Sequence, residues 1–93
     1  MIMMPRTRPL SLLIVDDSTV IRNRIASLVS SPQLPPIQIA GLAANGEVAL
    51  HMARETRPDL ITMDLTMPNM DGEACIEAIA SFLPDTQILV VSA

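Results

Sequence analysis

The chain has 93 residues, which is room for one small domain. Hydrophobic residues make up 49% of it and charged residues 17%, so it can bury a core and does not belong to the disordered class. Ten acidic against six basic residues give a net charge of -4. This balance argues against nucleic acid as a primary ligand, because phosphate backbones are bound by basic patches.

Targeting and membrane signals are weak. No apolar run approaches the roughly 18 residues of a membrane span, and the start of the chain lacks the pattern of a signal peptide. The single cysteine, Cys75, cannot form an internal disulfide and is expected to be packed rather than reactive. We therefore expect a cytoplasmic protein without membrane contact.

Four short β-type runs alternate with three helical patterns. Residues 1–9 are expected to form a flexible lead before a domain that covers residues 10–93. In chain order, the first predicted elements are a strand from Leu10 to Val15 and a helix capped by Ser18 or Asp17, with Ile21, Ile25, Leu28 and Val29 on its apolar face. A strand from Ile37 to Leu42 follows, and then a helix from Asn45-Gly46 to about Thr56 with Val48, Ala49, Met52 and Ala53 pointing inward. The last three elements are a strand from Leu60 to Met63, a helix from Gly72 to about Phe82 capped by Asp71, and a strand from Ile88 to Val91. Arg22 and Arg24 are interpreted as a solvated helix face.

Alternation of strands and helices with short links predicts a doubly wound parallel sheet, an α/β fold with helices on both faces. The expected strand order is 2-1-3-4, with a switch point between strands 1 and 3. Ligands of such sheets bind outside the carboxyl ends of the strands at that point. Asp16 and Asp17 end strand 1, and Asp64 ends strand 3, so three acids are expected in one crevice.

Carboxylates within about 5 Å repel one another by roughly 3 kcal/mol per pair at an effective dielectric near 20. Raised pKa values or a bound cation must offset this repulsion. An all-oxygen site favours Mg²⁺, or Mn²⁺, and Asp64 is then the candidate nucleophile toward a phosphoryl group, while the acid pair holds the metal. Each aspartate, taken alone, is equally typical of a helix cap or a solvated loop.

The runs LLIVDDSTVIR, PDLITMDLTMPNMDG and ILVVSA resemble the receiver domain of two-component response regulators, in particular chemotaxis-type and methylesterase-type receivers. The resemblance covers the chain from Leu10 to Ala93 and implies a flavodoxin-like fold. It implies that Asp64 accepts a phosphoryl group from the phosphohistidine of a sensor histidine kinase. Direct Mg²⁺ ligation by Asp17, water-mediated ligation by Asp16, a ligand from the backbone carbonyl of Thr66, and a switch hydroxyl at Ser92 are further implications.

The loop after strand 3 also matches the family. The resemblance implies that Pro68 shapes this loop and that Gly72 starts the next helix closely packed. Met67 and Met70 are expected to face solvent or a partner.

The family continues after its switch hydroxyl with a helix, a fifth strand that ends in a lysine, and a final helix. This sequence stops at Ala93 and has no lysine, so we expect a receiver that lacks its last α-β-α elements. Strand 4 then becomes an apolar edge, which predicts a homodimer or a larger assembly formed through it. The chain is not expected to be a turnover enzyme.

Three other interpretations remain. The first is a phosphorylation-deficient, self-associating structural module on the receiver scaffold. The second is an aspartyl-nucleophile hydrolase of the phosphatase type, which usually has an Asp-x-Asp pair where this chain has Asp64-Leu65-Thr66. The third, a flavin or dinucleotide domain, needs a Gly- or Thr-rich loop after strand 1, where this chain has Asp16-Asp17.

Overall fold

The computed structural model describes residues 8–67 and 72–91, and the elements follow the predicted order. The strands are β1 (Leu10–Val15), β2 (Ile37–Ala43), β3 (Leu60–Met63) and β4 (Gln87–Val90). The helices are α1 (Thr19–Val29), α2 (Gly46–Thr56) and α3 (Gly72–Phe82). Predictions made for residues 1–7 of the lead and for Pro68, Met70, Asp71 and Ser92 lie outside the described residues.

The four strands form one parallel sheet in the order β2-β1-β3-β4, which confirms the predicted topology. Val15 at the end of β1 pairs with Met63 at the end of β3. Because these two strands finish level with each other, Asp16 and Asp64 leave the sheet side by side.

The main core lies between the sheet and helices α2 and α3. The three strands β1, β2 and β3, the two helices and the loops at their ends each contribute buried side chains to it. These side chains are Leu13, Val15, Ala43, Ala49, Ala53, Ile61, Met63, Met67, Cys75, Ile79 and Leu83. Leu12 and Ile14 alternate with these β1 positions and are also buried, on the face where α1 packs against β1 and β2. The predicted coverage of both faces of the sheet is therefore confirmed for β1.

Three strand ends differ from the predictions by one residue. β2 continues to Ala43, which pairs with Val15. β4 begins at Gln87, which pairs with Leu60, and ends at Val90, which pairs with Met63. Pairing with the neighbouring strand sets these ends, and the apolar pattern alone excluded the polar Gln87.

Helix α1 begins after Ser18, whose hydroxyl oxygen accepts a hydrogen bond from the N–H of Ile21 at 3.3 Å. Its predicted apolar face is largely uncovered: Leu28 is 64% exposed, Ile21 is 36% exposed, and no residue of α1 is fully buried. The prediction that Val48 of α2 points inward is wrong, since its side chain is 37% exposed. Both helices meet the sheet over a narrower strip than their sequence periodicity indicates.

Strand β4 is hydrogen-bonded to β3 on one side and forms an edge of the described sheet. Leu89 is 54% exposed and Val90 is 51% exposed, so the apolar edge expected from the sequence is present. None of the helices in the described part of the chain has the length and apolar composition of a membrane span.

Candidate metal centre

Three carboxylates converge at the carboxyl ends of β1 and β3. One oxygen from each of Asp16, Asp17 and Asp64 lies within 4.8 Å of the other two. Asp16 and Asp64 are only 6% exposed, whereas Asp17 is open to solvent. The structure therefore brings together the three acids that the sequence assigned to one crevice.

The sheet itself fixes the backbone of the two buried acids. The N–H of Asp16 donates to the carbonyl oxygen of Ala43 at 3.0 Å, and the N–H of Asp64 donates to that of Val15 at 3.0 Å. These bonds continue the strand ladders by one residue, so the sheet positions the start of each acidic loop.

The Asp64 carboxylate is oriented by Thr66. The backbone N–H of Thr66 donates to Oδ1 of Asp64 at 3.0 Å, and the Thr66 hydroxyl donates to the same oxygen at 2.8 Å. No described residue donates a hydrogen bond to Oδ2, which leaves that oxygen available. The family resemblance implied a metal ligand from the backbone carbonyl of Thr66 but not these two hydrogen bonds. The Asp-x-Thr spacing, which favours this local turn, was the signal for them.

Asp16 is held by residues at the start of α1. Its Oδ1 accepts a hydrogen bond from the N–H of Ser18 at 2.9 Å, and its carbonyl oxygen accepts one from Nη1 of Arg22 at 2.7 Å. The interpretation of Arg22 as a solvated side chain is therefore wrong: this residue is partly buried and folds back over the loop. Arg24 is exposed, as expected.

The carboxylates open into a cavity of about 250 Å³. Ile21 of α1 and Val91, directly after β4, contribute apolar surface to it, and Ser18 and Thr66 contribute polar surface beside the three acids. At about 30 Å³ per water molecule, the cavity has room for a hydrated ion and a small anion together.

The donor set fits Mg²⁺. This ion takes six oxygen ligands at about 2.0–2.1 Å, so opposite ligands are about 4.2 Å apart. Adjacent ligands are about 2.9 Å apart, and at most one pair among three ligands can be opposite. Carboxylate oxygens within 4.8 Å of one another therefore reach this geometry by closing by up to about 2 Å, or by binding one of the three through water. Mn²⁺ has the same preference for oxygen ligands.

The loop after β3 packs against the start of α3. A Cβ at Gly72 would lie 2.7 Å from the carbonyl oxygen of Asp64 and 2.7 Å from Cα of Leu65, which confirms the expected close packing of this glycine. The prediction that Met67 faces solvent or a partner is wrong, because its side chain is 5% exposed and belongs to the core.

Two side chains of other metal-binding residue types, Cys75 and His51, lie outside the crevice. Cys75 is buried in α3, as expected, and burial raises the pKa of its thiol to about 11. His51 is exposed on α2 and lies 3.1 Å from the carboxylate of Glu55. Neither residue belongs to the acidic cluster.

A parallel sheet in this strand order, with three acids at the ends of its two central strands, defines an α/β domain with an acidic site at the topological switch point. The chain belongs to the response regulator receiver domain family, whose model matches residues 12–93. The family resemblance and the fold predicted from the sequence are therefore confirmed.

Curated relatives include protein-glutamate methylesterases. The chain is 45% identical over 86 residues to protein-glutamate methylesterase/protein-glutamine glutaminase 3 of Myxococcus xanthus, a match that covers 92% of this chain and 23% of that protein. It is 43% identical over 86 residues to the corresponding protein 2 of Anaeromyxobacter dehalogenans, which covers 92% of this chain and 24% of that protein. The chain thus spans about a quarter of the length of these relatives.

Solved structures show the same fold. The response regulator domain of Thermotoga maritima CheB matches with a TM-score of 0.82 and 35% identity, over 91% of this chain and 61% of that one. A chain of a CheX–CheY–BeF3–Mg²⁺ complex from Borrelia burgdorferi matches with a TM-score of 0.83 and 32% identity, over 91% of this chain and 63% of that one.

Proposed function

We propose that this chain is the phosphoacceptor domain of a two-component phosphorelay. Asp64 takes a phosphoryl group from the phosphohistidine of a sensor histidine kinase. Asp16, Asp17, Asp64 and the backbone carbonyl of Thr66 hold the Mg²⁺, or Mn²⁺, that the transfer needs. The observation that carries the proposal is the approach of three carboxylate oxygens to within 4.8 Å of one another beside an open cavity.

The hydrogen bonds of Asp64 suit nucleophilic attack by one defined oxygen. Both bonds from Thr66 go to Oδ1, so Oδ2 is the oxygen that forms the new P–O bond while the P–N bond of the donor histidine breaks. The bound cation supplies neutralisation of the charge on the transferring oxygens. The apolar surface of Ile21 and Val91 lowers the local dielectric and strengthens these interactions.

Ser92 is proposed as the switch hydroxyl that donates to a phosphoryl oxygen. Val91, the residue before it, lines the cavity and donates its N–H to the carbonyl oxygen of Met63 at 2.9 Å. The similar Borrelia burgdorferi structure is a complex with BeF3 and Mg²⁺, which supports a site for a phosphoryl mimic and a divalent ion in this fold.

Incubation with a small phosphodonor, followed by intact-mass measurement, tests the proposal. The parent chain is expected to gain the mass of one phosphoryl group only when Mg²⁺ is present. Asp64→Asn is expected to gain none, and Asp17→Asn to gain less. Asp85→Asn, which changes an exposed turn acid outside the cluster, is the control that should match the parent. An adduct on Asp64→Asn, or none on the parent, contradicts the proposal.

The second candidate is a phosphorylation-deficient, self-associating module, favoured by the exposed apolar β4 edge. A parent chain that takes up no phosphoryl group supports this alternative. Thr66 weakens the interpretation as a phosphatase-type hydrolase. It stands where that chemistry needs a second acid, and its hydroxyl donates a hydrogen bond to Asp64.

We also propose that the chain forms a homodimer, or a larger assembly, through the β4 edge. Light scattering over a range of concentrations is expected to show an assembly that Leu89→Glu dissociates, since a charge on this edge opposes strand pairing. Leu42→Glu is the matched control, because Leu42 is 40% exposed on β2 at the opposite edge of the sheet. A parent chain that stays monomeric at high concentration refutes the assembly.

The remaining partners follow from charge and length. We propose no nucleic-acid ligand, because the net charge is -4 and the sequence has no cluster of lysines. We also propose that the domain acts in the cytoplasm, without membrane contact. The named enzymes to which the chain is similar are about four times its length, and we propose no turnover activity for the residues of this chain.

A further inference from the structure

We propose that Arg22 is a positioning residue of the acidic crevice: its guanidinium clamps the loop between β1 and α1 and so keeps Asp16 and Asp17 beside Asp64. This inference deepens the proposed function and rests on it. It concerns how the cluster keeps its shape while its charges repel one another.

The clamp consists of two hydrogen bonds from separate guanidinium nitrogens. Nη1 of Arg22 donates to the carbonyl oxygen of Asp16 at 2.7 Å, and Nη2 donates to the hydroxyl of Thr19 at 3.1 Å. A charged donor makes the short bond to the carbonyl stronger than a bond between neutral groups. The planar fork of arginine reaches both acceptors at once, which the single ammonium group of lysine cannot reproduce.

Asp17 depends on this clamp because none of the described residues anchors its side chain directly. Its carboxylate is exposed, and no residue that the structure describes donates a hydrogen bond to it. The peptide that joins the Asp16 carbonyl to the Asp17 nitrogen is planar. The bond from Arg22 to that carbonyl therefore fixes the orientation of the peptide plane, and with it the direction in which the Asp17 side chain leaves the backbone.

The other bond to Asp16 does not replace the clamp. The N–H of Ser18 donates to Oδ1 of Asp16 at 2.9 Å, and that carboxylate is one of the three offered to the metal. Movement of the carboxylate toward an ion alters this bond. The Arg22 bond uses the carbonyl oxygen instead, so it persists in the metal-bound form.

The charge of Arg22 and its positioning role predict opposite effects on Mg²⁺ affinity when this residue is removed. A guanidinium beside three carboxylates repels a divalent cation, so its loss, on charge alone, tightens Mg²⁺ binding. Loss of the clamp frees the loop and weakens binding, as loss of a residue that orients a metal ligand commonly does, by about tenfold or more. The sign of the change therefore separates the two roles.

The experiment measures Mg²⁺ and Ca²⁺ dissociation constants for the parent, Arg22→Ala and Arg22→Lys. Arg24→Ala is the matched control, because it removes the same charge from an exposed position of the same helix. We expect Mg²⁺ binding about tenfold weaker in both Arg22 variants and unchanged or slightly tighter in Arg24→Ala. Mg²⁺ demands stricter geometry than Ca²⁺, so the Mg²⁺ constant should change more, whereas partial unfolding weakens both equally.

Hydrogen exchange of the Asp17 and Ser18 amides in metal-free protein is the second readout, with faster exchange expected for Arg22→Ala and not for Arg24→Ala. Mg²⁺ binding by Arg22→Ala as tight as in the parent, or tighter, overturns this inference alone, as does unchanged exchange. A parent chain that binds no Mg²⁺ overturns the proposed function and this inference together.

Discussion

Replacement of Gly72 by alanine tests how tightly helix α3 is set against the acidic loop. The new Cβ would lie 2.7 Å from the carbonyl oxygen of Asp64, 2.7 Å from Cα of Leu65 and 2.8 Å from Cδ2 of Leu65. Nonbonded carbon atoms normally lie about 3.5–4.0 Å apart. Two of the three contacts are to backbone atoms, so rotation of a side chain cannot relieve them, and the helix start or the loop must move by about 1 Å.

The cost follows from two opposing effects. Overpacking of this kind costs about 1–3 kcal/mol. Alanine is a better helix former than glycine by up to about 1 kcal/mol, and by less at the first helical residue. The expected net loss of unfolding free energy for Gly72→Ala is about 1–2 kcal/mol, with a fall in Tm of about 4–8 °C for each kcal/mol in a domain of this size.

Urea unfolding and thermal unfolding measure this loss, and Mg²⁺ binding measures its effect on the site. Gly41→Ala is the control substitution: its Cβ would lie 2.9 Å from Sδ of Met52 and 3.3 Å from Cδ1 of Leu13, both near the ends of side chains that can turn away. We expect a smaller loss of stability there and no effect on Mg²⁺ binding. Displacement of Asp64 in Gly72→Ala should weaken Mg²⁺ binding even where the variant is fully folded.

A Gly72→Ala variant as stable as the parent would contradict the predicted clash, as would a larger loss of stability in Gly41→Ala than in Gly72→Ala. An unchanged amide resonance of Asp64 in Gly72→Ala would also contradict it, since a helix start that keeps its place cannot accommodate the added methyl group.

Three further predictions concern single residues. Arg57 ends α2 in the left-handed conformation, with φ 46° and ψ 62°, so Arg57→Gly should raise stability by about 1 kcal/mol in urea unfolding; a lower midpoint would contradict this. The buried hydroxyl of Thr62 has no hydrogen-bond partner among the described residues, so Thr62→Val should raise the free energy of unfolding by about 1 kcal/mol, and a loss of stability would contradict this. Burial raises the pKa of Cys75 from 9.0 to about 11, so the native protein holds this proton more tightly than the unfolded chain, and stability should fall as pH rises from about 9 to 11. Cys75→Ala should lack that part of the pH dependence in denaturant titrations, and an identical slope would rule out this cause.

Several features were predictable from the sequence because they depend on local chemistry. Apolar runs with β-branched residues alternate with segments of helical periodicity, and these patterns predict the bounds of every strand and helix to within a residue or two. The acids at positions 16, 17 and 64 follow directly after such runs, and parallel strands bring their carboxyl ends to one edge. Gly72 was likewise expected at a close approach, from the family motif.

Other features depend on which surfaces meet, and local patterns do not carry that information. Met67 lies in the core although it belongs to a loop, and Val48 is exposed although its helical position predicts burial. Arg22 reaches back six residues to the carbonyl of Asp16, a contact that the pattern of apolar and polar residues along α1 does not predict.

The amino-acid order by itself determined the kind of element at each position, the order of the strands and the edge of the sheet where the carboxylates gather. Packing decided how close those carboxylates come, which oxygen of Asp64 stays free and how much of α1 and β4 remains uncovered. The physical reason is that periodicity depends on neighbours along the chain, whereas distances and burial depend on residues brought together from remote positions.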